Sequence, residues 1–459
     1  MRAIKKSDIF PWVELALGHK ITESKRPPMR SEIPLSRNDW IIKTQGGEKR
    51  KAKWYVRCDR DADFRFVMRN ALLRESEILK VLHSEGIPVP RVIAESSNPR
   101  AVILEFVDGS SDFSGAKSPA EIDAVTRDFA RIMARWHEIP AERFARIGLE
   151  PPRSDRDCVL GDLEALERRH LSHVREPIPL VSFVCKWLRN HMPPPPERPV
   201  LIQGDTGPGQ FIHKKGRVQA VIDWEMATLG DPLWDLATIR RRDAWSPTGN
   251  LPRWFEYYSE YSGRPLDQRK LRYYSVSSAF IFALTLGQVI QNLKPGDEHM
   301  DLISMNLWSK RVTMEELAAI GGVKLAADIA LPTLDANDSS SLFDILESNL
   351  VNEQLPRIKR KLIRHRMKMT VRLALHLRAV AELGRDIENL ELEDMGSLLE
   401  RRPATLREGR VALDELVRAA GPDADDALVA FFHRQTLREQ ALTGGAMGWL
   451  EKAGMADIS

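Results

Sequence analysis

The chain is poor in cysteine. Only Cys58, Cys158 and Cys185 occur among 459 residues, widely spaced and with no CxxC pair. This excludes a disulfide framework and a cysteine zinc site, and the setting it predicts is a reducing cytoplasm. The 11 histidines show no HxxxH or HExxH spacing, so no zinc site is expected from them either. No apolar run reaches the roughly 18 residues of a membrane-crossing helix, and no membrane partner is expected. The basic N-terminal stretch, residues 1–20, lacks a long apolar core and a small-residue cleavage site, so it does not read as a signal peptide. Charge of one sign is missing too: 68 basic and 65 acidic residues leave a net +3. That balance gives no general argument for nucleic-acid binding. No internal repeat is evident.

What is present describes a globular protein, with 43% hydrophobic and 29% charged residues. The length exceeds one ordinary core, so two or three domains are expected. Residues 1–107 read as mixed β and α. Strand candidates lie at 40–42, 53–58 and 101–107, and a helix at 70–83. A first amphipathic helix offers Ile9, Trp12, Leu15 and Leu17 as buried positions. Over 108–327 helices dominate, at 119–137, 180–190, 233–240, 252–261 and 271–293, with a β-rich insertion before the last three. Residues 328–341 are rich in turn formers and read as a linker. Residues 342–459 read as all-helical. There Leu355, Ile358, Leu362, Met369, Leu373, Leu377 and Val380 mark one face of a long helix. The basic run 357–372 reads as the solvated side of that helix, paired with the acidic segment 388–394; the alternative is an anion-binding face for a phosphorylated carrier or a coenzyme A thioester.

The β-rich insertion is the informative part. Asp205 and Asp223 stand at the ends of two strand-like segments, 200–202 and 218–222. Metal-assisted phosphoryl transfer needs such a pair: one carboxylate orients the attacking hydroxyl, and the other holds Mg²⁺ on the nucleotide phosphates.

GDTGPGQF at 204–211 and IDWEMATLGDPLWDLA at 222–237 resemble the aminoglycoside phosphotransferase and choline kinase family. In particular they are similar to the phosphotransferase domains related to those fused to acyl-CoA dehydrogenases. The resemblance covers roughly residues 10–322. It implies an α+β, two-lobed, protein-kinase-like fold, here with an appended all-helical C-terminal domain. It also implies ATP and Mg as cofactors and a small-molecule hydroxyl as substrate.

Residue by residue, the resemblance makes Asp205 catalytic and Asp223 a metal ligand. Gln210 stands where the family has a metal-binding asparagine, with the same carbonyl donor on a longer stem. Gln203 stands where the family has a loop-bracing histidine, and Asp235 matches an aspartate that ties its helix to the catalytic loop. Arg57 and Glu75 match the pair that positions the nucleotide phosphates. Leu35, Ser36, Arg37 and Asn38 match the phosphate-covering turn, and Glu105 through Val107 the adenine-binding hinge. His137 reads as a structural hydrogen-bonding residue and Asp231 as a helix cap. Glu225 either faces the substrate cleft or is a solvated loop carboxylate. The substrate class is open between a hydroxyacyl thioester or other catabolic hydroxy compound and an aminoglycoside. The rival reading is a kinase-like binding protein that has lost turnover.

Overall fold

Alternation along KWYVRC puts Trp54, Val56 and Cys58 on one face of a strand and Lys53, Tyr55 and Arg57 on the other. The computed structural model, which describes residues 5–27, 37–45, 51–59, 71–174, 176–295, 297–326, 329, 331–332 and 340–458, shows what each face meets. In chain order its elements are α1 (Lys6–Leu17), β1 (Lys20–Lys25), β2 (Arg37–Gln45), β3 (Lys51–Asp59), α2 (Leu72–Ser84), β4 (Val92–Ser97), β5 (Arg100–Glu105), α3 (Pro119–Glu138), α4 (Ala141–Ala145), α5 (Asp155–Leu160), α6 (Leu163–His173), α7 (Pro179–Asn190), β6 (Val200–Ile202), β7 (Phe211–Lys214), β8 (Arg217–Val221), β9 (Thr228–Gly230), α8 (Leu233–Asp243), α9 (Leu251–Ser262), α10 (Gln268–Ile290), α11 (His299–Gly321), α12 (Ser340–Ser348), α13 (Lys361–Leu399), α14 (Leu406–Ala419) and α15 (Asp425–Ala441). Contacts divide the chain into two units. The first holds Met1–Val159, Pro194–Leu271 and Met455–Ser459; the second holds Leu160–Pro193 and Arg272–Gly454.

In the first unit, an antiparallel sheet runs in the order β1-β2-β3-β5-β4. Its apolar face packs Trp40, Ile42, Val56, Cys58, Ala101 and Ile103 against Ile9 and Val13 of α1. Each such aliphatic side chain contributes about 1.5–3 kcal/mol of burial. Trp12 and Leu17 also pack on this core, but Leu15 is 82% exposed, contrary to the buried position expected of it. At helical spacing Ile9 and Val13 form the buried stripe, and Leu15 falls outside it. Strands β1 and β4 escaped the sequence reading, because KITESK and VIAESS carry too few apolar residues to stand out.

The insertion forms two small antiparallel pairs, β6 with β9 and β7 with β8. Lys215 and Gly216, both at positive φ (52° and 73°), turn β7 into β8, as a two-residue hairpin of the I′ type requires. The amide of Val221 donates to Pro88 O at 2.7 Å, tying the hairpin to the segment after α2.

In the second unit, Phe183 of α7 stacks on Phe432 of α15, with ring centroids 5.4 Å apart. Lys186 donates to the carbonyls of Val417, Arg418 and Ala420 at the end of α14 (2.8, 3.0 and 2.5 Å), where a cation offsets the helix dipole. The long helix differs from its expected extent. It begins at Lys361, because Pro356 interrupts the preceding turn, so Leu355 and Ile358 are not on its face. Leu377 and Val380 are exposed, at 53% and 42%. The acidic segment 388–394 lies on this same helix, beyond the reach of residues 357–372. Asp394 instead pairs with Arg434 (2.6 Å) and Arg438 (2.8 Å) of α15. Of the expected linker, residues 328, 330 and 333–339 lie outside the described residues, and Ser340 already opens α12. Helix α10 is long and apolar enough to cross a membrane by length and composition, with a mean hydropathy of 1.4 over 18 residues. That window is 61% buried inside the protein, as in a core helix.

Candidate active site

The loop from β6 to β7 carries Gln203 through Gln210, and its shape is set by Asp235. This carboxylate is fully buried on α8 and accepts from the amides of Gln203 and Gly204, both at 3.0 Å. It also accepts from His137 Nε2 at 3.2 Å, while His137 Nδ1 lies 2.8 Å from Tyr258 Oη. Burial holds His137 below its ordinary value of 6.5, so it is neutral, donating from Nε2 and accepting at Nδ1. Gly204 has φ +90°, and a Cβ there would stand 2.5 Å from Met226 O, so only glycine lets the loop pass. Gln203 Nε2 donates to the carbonyls of Ile222 (2.7 Å) and Asp223 (3.2 Å), joining the two acidic segments. Asp223 itself is at φ +65°, a strained conformation for a non-glycine residue held by these contacts. Asp231 is not the N-cap of α8, which is Pro232, but precedes it and accepts from the Leu233 amide at 2.9 Å.

Three side chains hold Asp205, whose own side chain remains 28% exposed. Its Oδ1 accepts from Arg241 at 2.8 Å, and its Oδ2 from Arg242 at 2.5 Å and from Gln210 Nε2 at 2.9 Å. The two arginines come from the last turns of α8 and were missed by the sequence reading. The only signal was the run of three arginines at 240–242, which looks like a favourable end for a helix dipole. Gln210 thus directs its amide nitrogen to Asp205, which leaves its carbonyl as the donor for a cation. Its backbone accepts from the Ile222 amide at 2.9 Å, beside Asp223.

The polar face of the sheet, with α2 and the β7–β8 hairpin, lines a cavity of about 490 Å³. Arg57, Glu75, Glu105, Val107, Gln210 and Asp223 all line it. Asp205 is outside that lining, one hydrogen bond away through Gln210. Asn38 does not line it either. It sits in β2 rather than in a turn, paired with Cys58, while its neighbours Arg37 and Asp39 face the cavity. A one-residue step along a strand changes the face, which is the correction to the expected phosphate-covering turn. Ser36 lies outside the described residues.

Arg57 forms the centre of a buried charge cluster. It donates to Glu75 at 2.6 Å, Asp223 at 3.2 Å and Glu225 at 3.4 Å, and its Nε is 3.6 Å from Asp39. Arg37 reaches Glu75 at 3.8 Å and Glu225 at 3.6 Å. Glu225 is therefore neither a solvated loop residue nor a substrate-cleft residue, but a buried partner of both guanidiniums. Burial, reinforced by the charge of Asp223, pushes Glu225 well above the usual carboxylate range. Burial also raises Glu75 and Asp39. Five carboxyl groups, including Asp59 at 2.8 Å from Arg37, contact these two guanidiniums and present hard oxygen donors. Such a donor set suits Mg²⁺, and the cavity is within the usual range for a small-molecule site. Because Arg57 already spends its donors on carboxylates, phosphates would meet a screened rather than a bare guanidinium.

The profile of the Phosphotransferase enzyme family matches residues 40–274, just over half of the chain. The chain belongs to this phosphotransferase family. It is 26% identical over 211 residues to acyl-CoA dehydrogenase family member 11 of Rattus norvegicus, a match covering 44% of this chain and 27% of that protein. It is 28% identical over 202 residues to the Homo sapiens protein of the same name, covering 42% and 25%. The match thus spans about a quarter of the length of these curated relatives. The crystal structure of a candidate aminoglycoside phosphotransferase from Ralstonia eutropha JMP134 aligns with a TM-score of 0.50 at 18% identity, over 70% of this chain and all of that one. These findings bear out the resemblance read from the sequence, and the phosphotransferase fold with an all-helical C-terminal region is the one it implied.

Proposed function

We propose that this family member transfers the γ-phosphoryl group of Mg-ATP to a hydroxyl of a small molecule. The observation that carries the reading is the connected set Asp205–Gln210–Asp223–Arg57–Glu75, which leads from the loop after β6 into the cavity. Asp223 and the Gln210 carbonyl are the groups that would hold magnesium, whose chemistry is to neutralise charge on the β- and γ-phosphates. Glu105 through Val107 would offer main-chain groups to the adenine. In the transfer, the acceptor oxygen bonds to the γ-phosphorus while the bond to the β,γ-bridging oxygen breaks. ADP departs and the hydroxyl proton passes to Asp205. Because that transition state is loose, holding the hydroxyl in line contributes more than basicity does.

Similarity to acyl-CoA dehydrogenase family members supports testing hydroxyacyl thioesters first. The decisive assay is phosphate transfer from ATP to hydroxyacyl-CoAs, choline, homoserine and aminoglycosides, with Mg²⁺ present or chelated. Asp205→Ala is expected to lower turnover about 10²–10⁴-fold. Undiminished turnover in that variant would remove Asp205 from the reaction. One feature supports a second reading, a nucleotide-binding protein with little turnover: Asp205 already accepts from two guanidiniums and an amide. Mg²⁺-dependent ATP binding by calorimetry without transfer to any acceptor would be its signature.

A further inference from the structure

We infer that the acceptor is an anionic hydroxy compound, and that Arg242 is the residue selecting it. The inference rests on the phosphotransfer reading and names the substrate class of the same site. A carboxylate meant to orient a neutral or cationic hydroxyl compound has no use for two guanidiniums on its oxygens. Asp205 has them at 2.8 and 2.5 Å, so the loop carries an excess of one positive charge where the acceptor must arrive. A cationic acceptor would be repelled there.

The two arginines are not equivalent. Arg241 is buried against the ring of Trp245, 5.3 Å from its centroid, and burial works against its charge. Arg242 bridges Asp205 and the carbonyl of Pro208, to which Nη2 donates at 2.9 Å. It lies over the loop because Gly209 leaves room for it: a Cβ at that position would be 2.7 Å from Arg242 Nη2. Its planar fork can exchange the Asp205 oxygen for an oxygen of a carboxylate or phosphate without leaving the loop. An arriving anion would thereby draw Arg242 off Asp205 and free Oδ2 to take the acceptor hydroxyl. A neutral alcohol cannot make that exchange, and Oδ2 stays occupied.

The anion could be the carboxylate of a hydroxy acid or the phosphates of a coenzyme A thioester. A matched set separates them: 3-hydroxybutyrate, 3-hydroxybutyryl-CoA, the uncharged 3-hydroxybutyryl-pantetheine, and choline as the cation. Transfer from Mg-ATP and acceptor binding by calorimetry are measured for the wild type, Arg242→Met and Arg242→Lys. The expectation is that at least one anionic acceptor exceeds the neutral and cationic ones. Arg242→Met should lower its kcat/KM about ten- to a hundredfold, the usual loss for one charge-assisted hydrogen bond. Arg242→Lys should recover part of it, and the affinity for Mg-ATP should be unchanged in both. A merely structural Arg242 would depress every acceptor and Mg-ATP together, and that outcome overturns the inference. Equal use of neutral and anionic acceptors overturns it while leaving the phosphotransfer reading intact. Mg-ATP binding that fails altogether strikes the phosphotransfer reading. Anion binding that survives Arg242→Met unweakened, or is absent in the wild type, overturns the inference whatever the turnover.

Discussion

Arg57 shows how one side chain organises the site. It is buried and touches Glu75, Asp223 and Glu225 directly, with Asp39 close by. Removing the guanidinium leaves Glu75, with a side chain only 2% exposed, without its nearest cation. Arg57→Met should therefore lose about 3–5 kcal/mol of stability, read by chemical denaturation. Arg57→Lys keeps the charge but not the fork, so it should retain the fold and raise KM for ATP. Gln210 is legible only in part from sequence. The resemblance implied its carbonyl as a metal donor, but the bond from its amide to Asp205 depends on an extra methylene and was not read from the sequence. Gln210→Asn should shorten that reach and lower turnover about tenfold or more, the effect of losing a hydrogen bond to a charged group. A rise in turnover would mark the natural glutamine as a defect.

At the scale of elements, the loop between β6 and β7 depends on Gly204 below it and Asp235 beside it. Gly204→Ala forces a Cβ to 2.5 Å from Met226 O at φ +90°. The expected cost is at least about 1–2 kcal/mol, seen as a lowered Tm together with lost transfer. The support of α3 and α8 is pH-sensitive through His137. Burial depresses its folded value below 6.5, so below that pH the unfolded chain binds the extra proton. The stability it contributes is present above pH 6.5 and is lost as pH falls through the depressed value. His137→Gln should remove that part of the acid-side fall in Tm, while an unchanged profile would assign the fall to other groups. Elements with strong periodicity were readable. The long apolar stripes gave α3 and α7 within a residue or two. The edge strands β1 and β4 were not, since they lie half-exposed and carry no stripe.

For the whole molecule, sequence order and packing order differ. Residues 342–459 look separate along the chain, yet α14 and α15 pack with α7 in one unit through Lys186, Phe183 and the pair Ser182–Asp414 at 2.5 Å. A chain ended at residue 327 should therefore expose Phe183 and its neighbours, and melt earlier or aggregate. An identical melting curve for that truncation would show the helices to be dispensable.

The sequence by itself pointed to the pair of aspartates, to the braces around them and to the class of fold. The pair follows from local spacing, a carboxylate at the end of each of two strand-like segments, while the braces and the fold are what the resemblance carried by 204–211 and 222–237 implied. Only the tertiary structure decided what surrounds each charge. Arg241 and Arg242 reach Asp205 across more than 35 positions, and Glu225 reaches Arg57 across 168. Electrostatic environment is set by distance in space and by exclusion of water, neither of which periodicity along a chain encodes. The opening sign of phosphoryl chemistry is therefore local, while the charge of the molecule that the site can accept is a property of the fold.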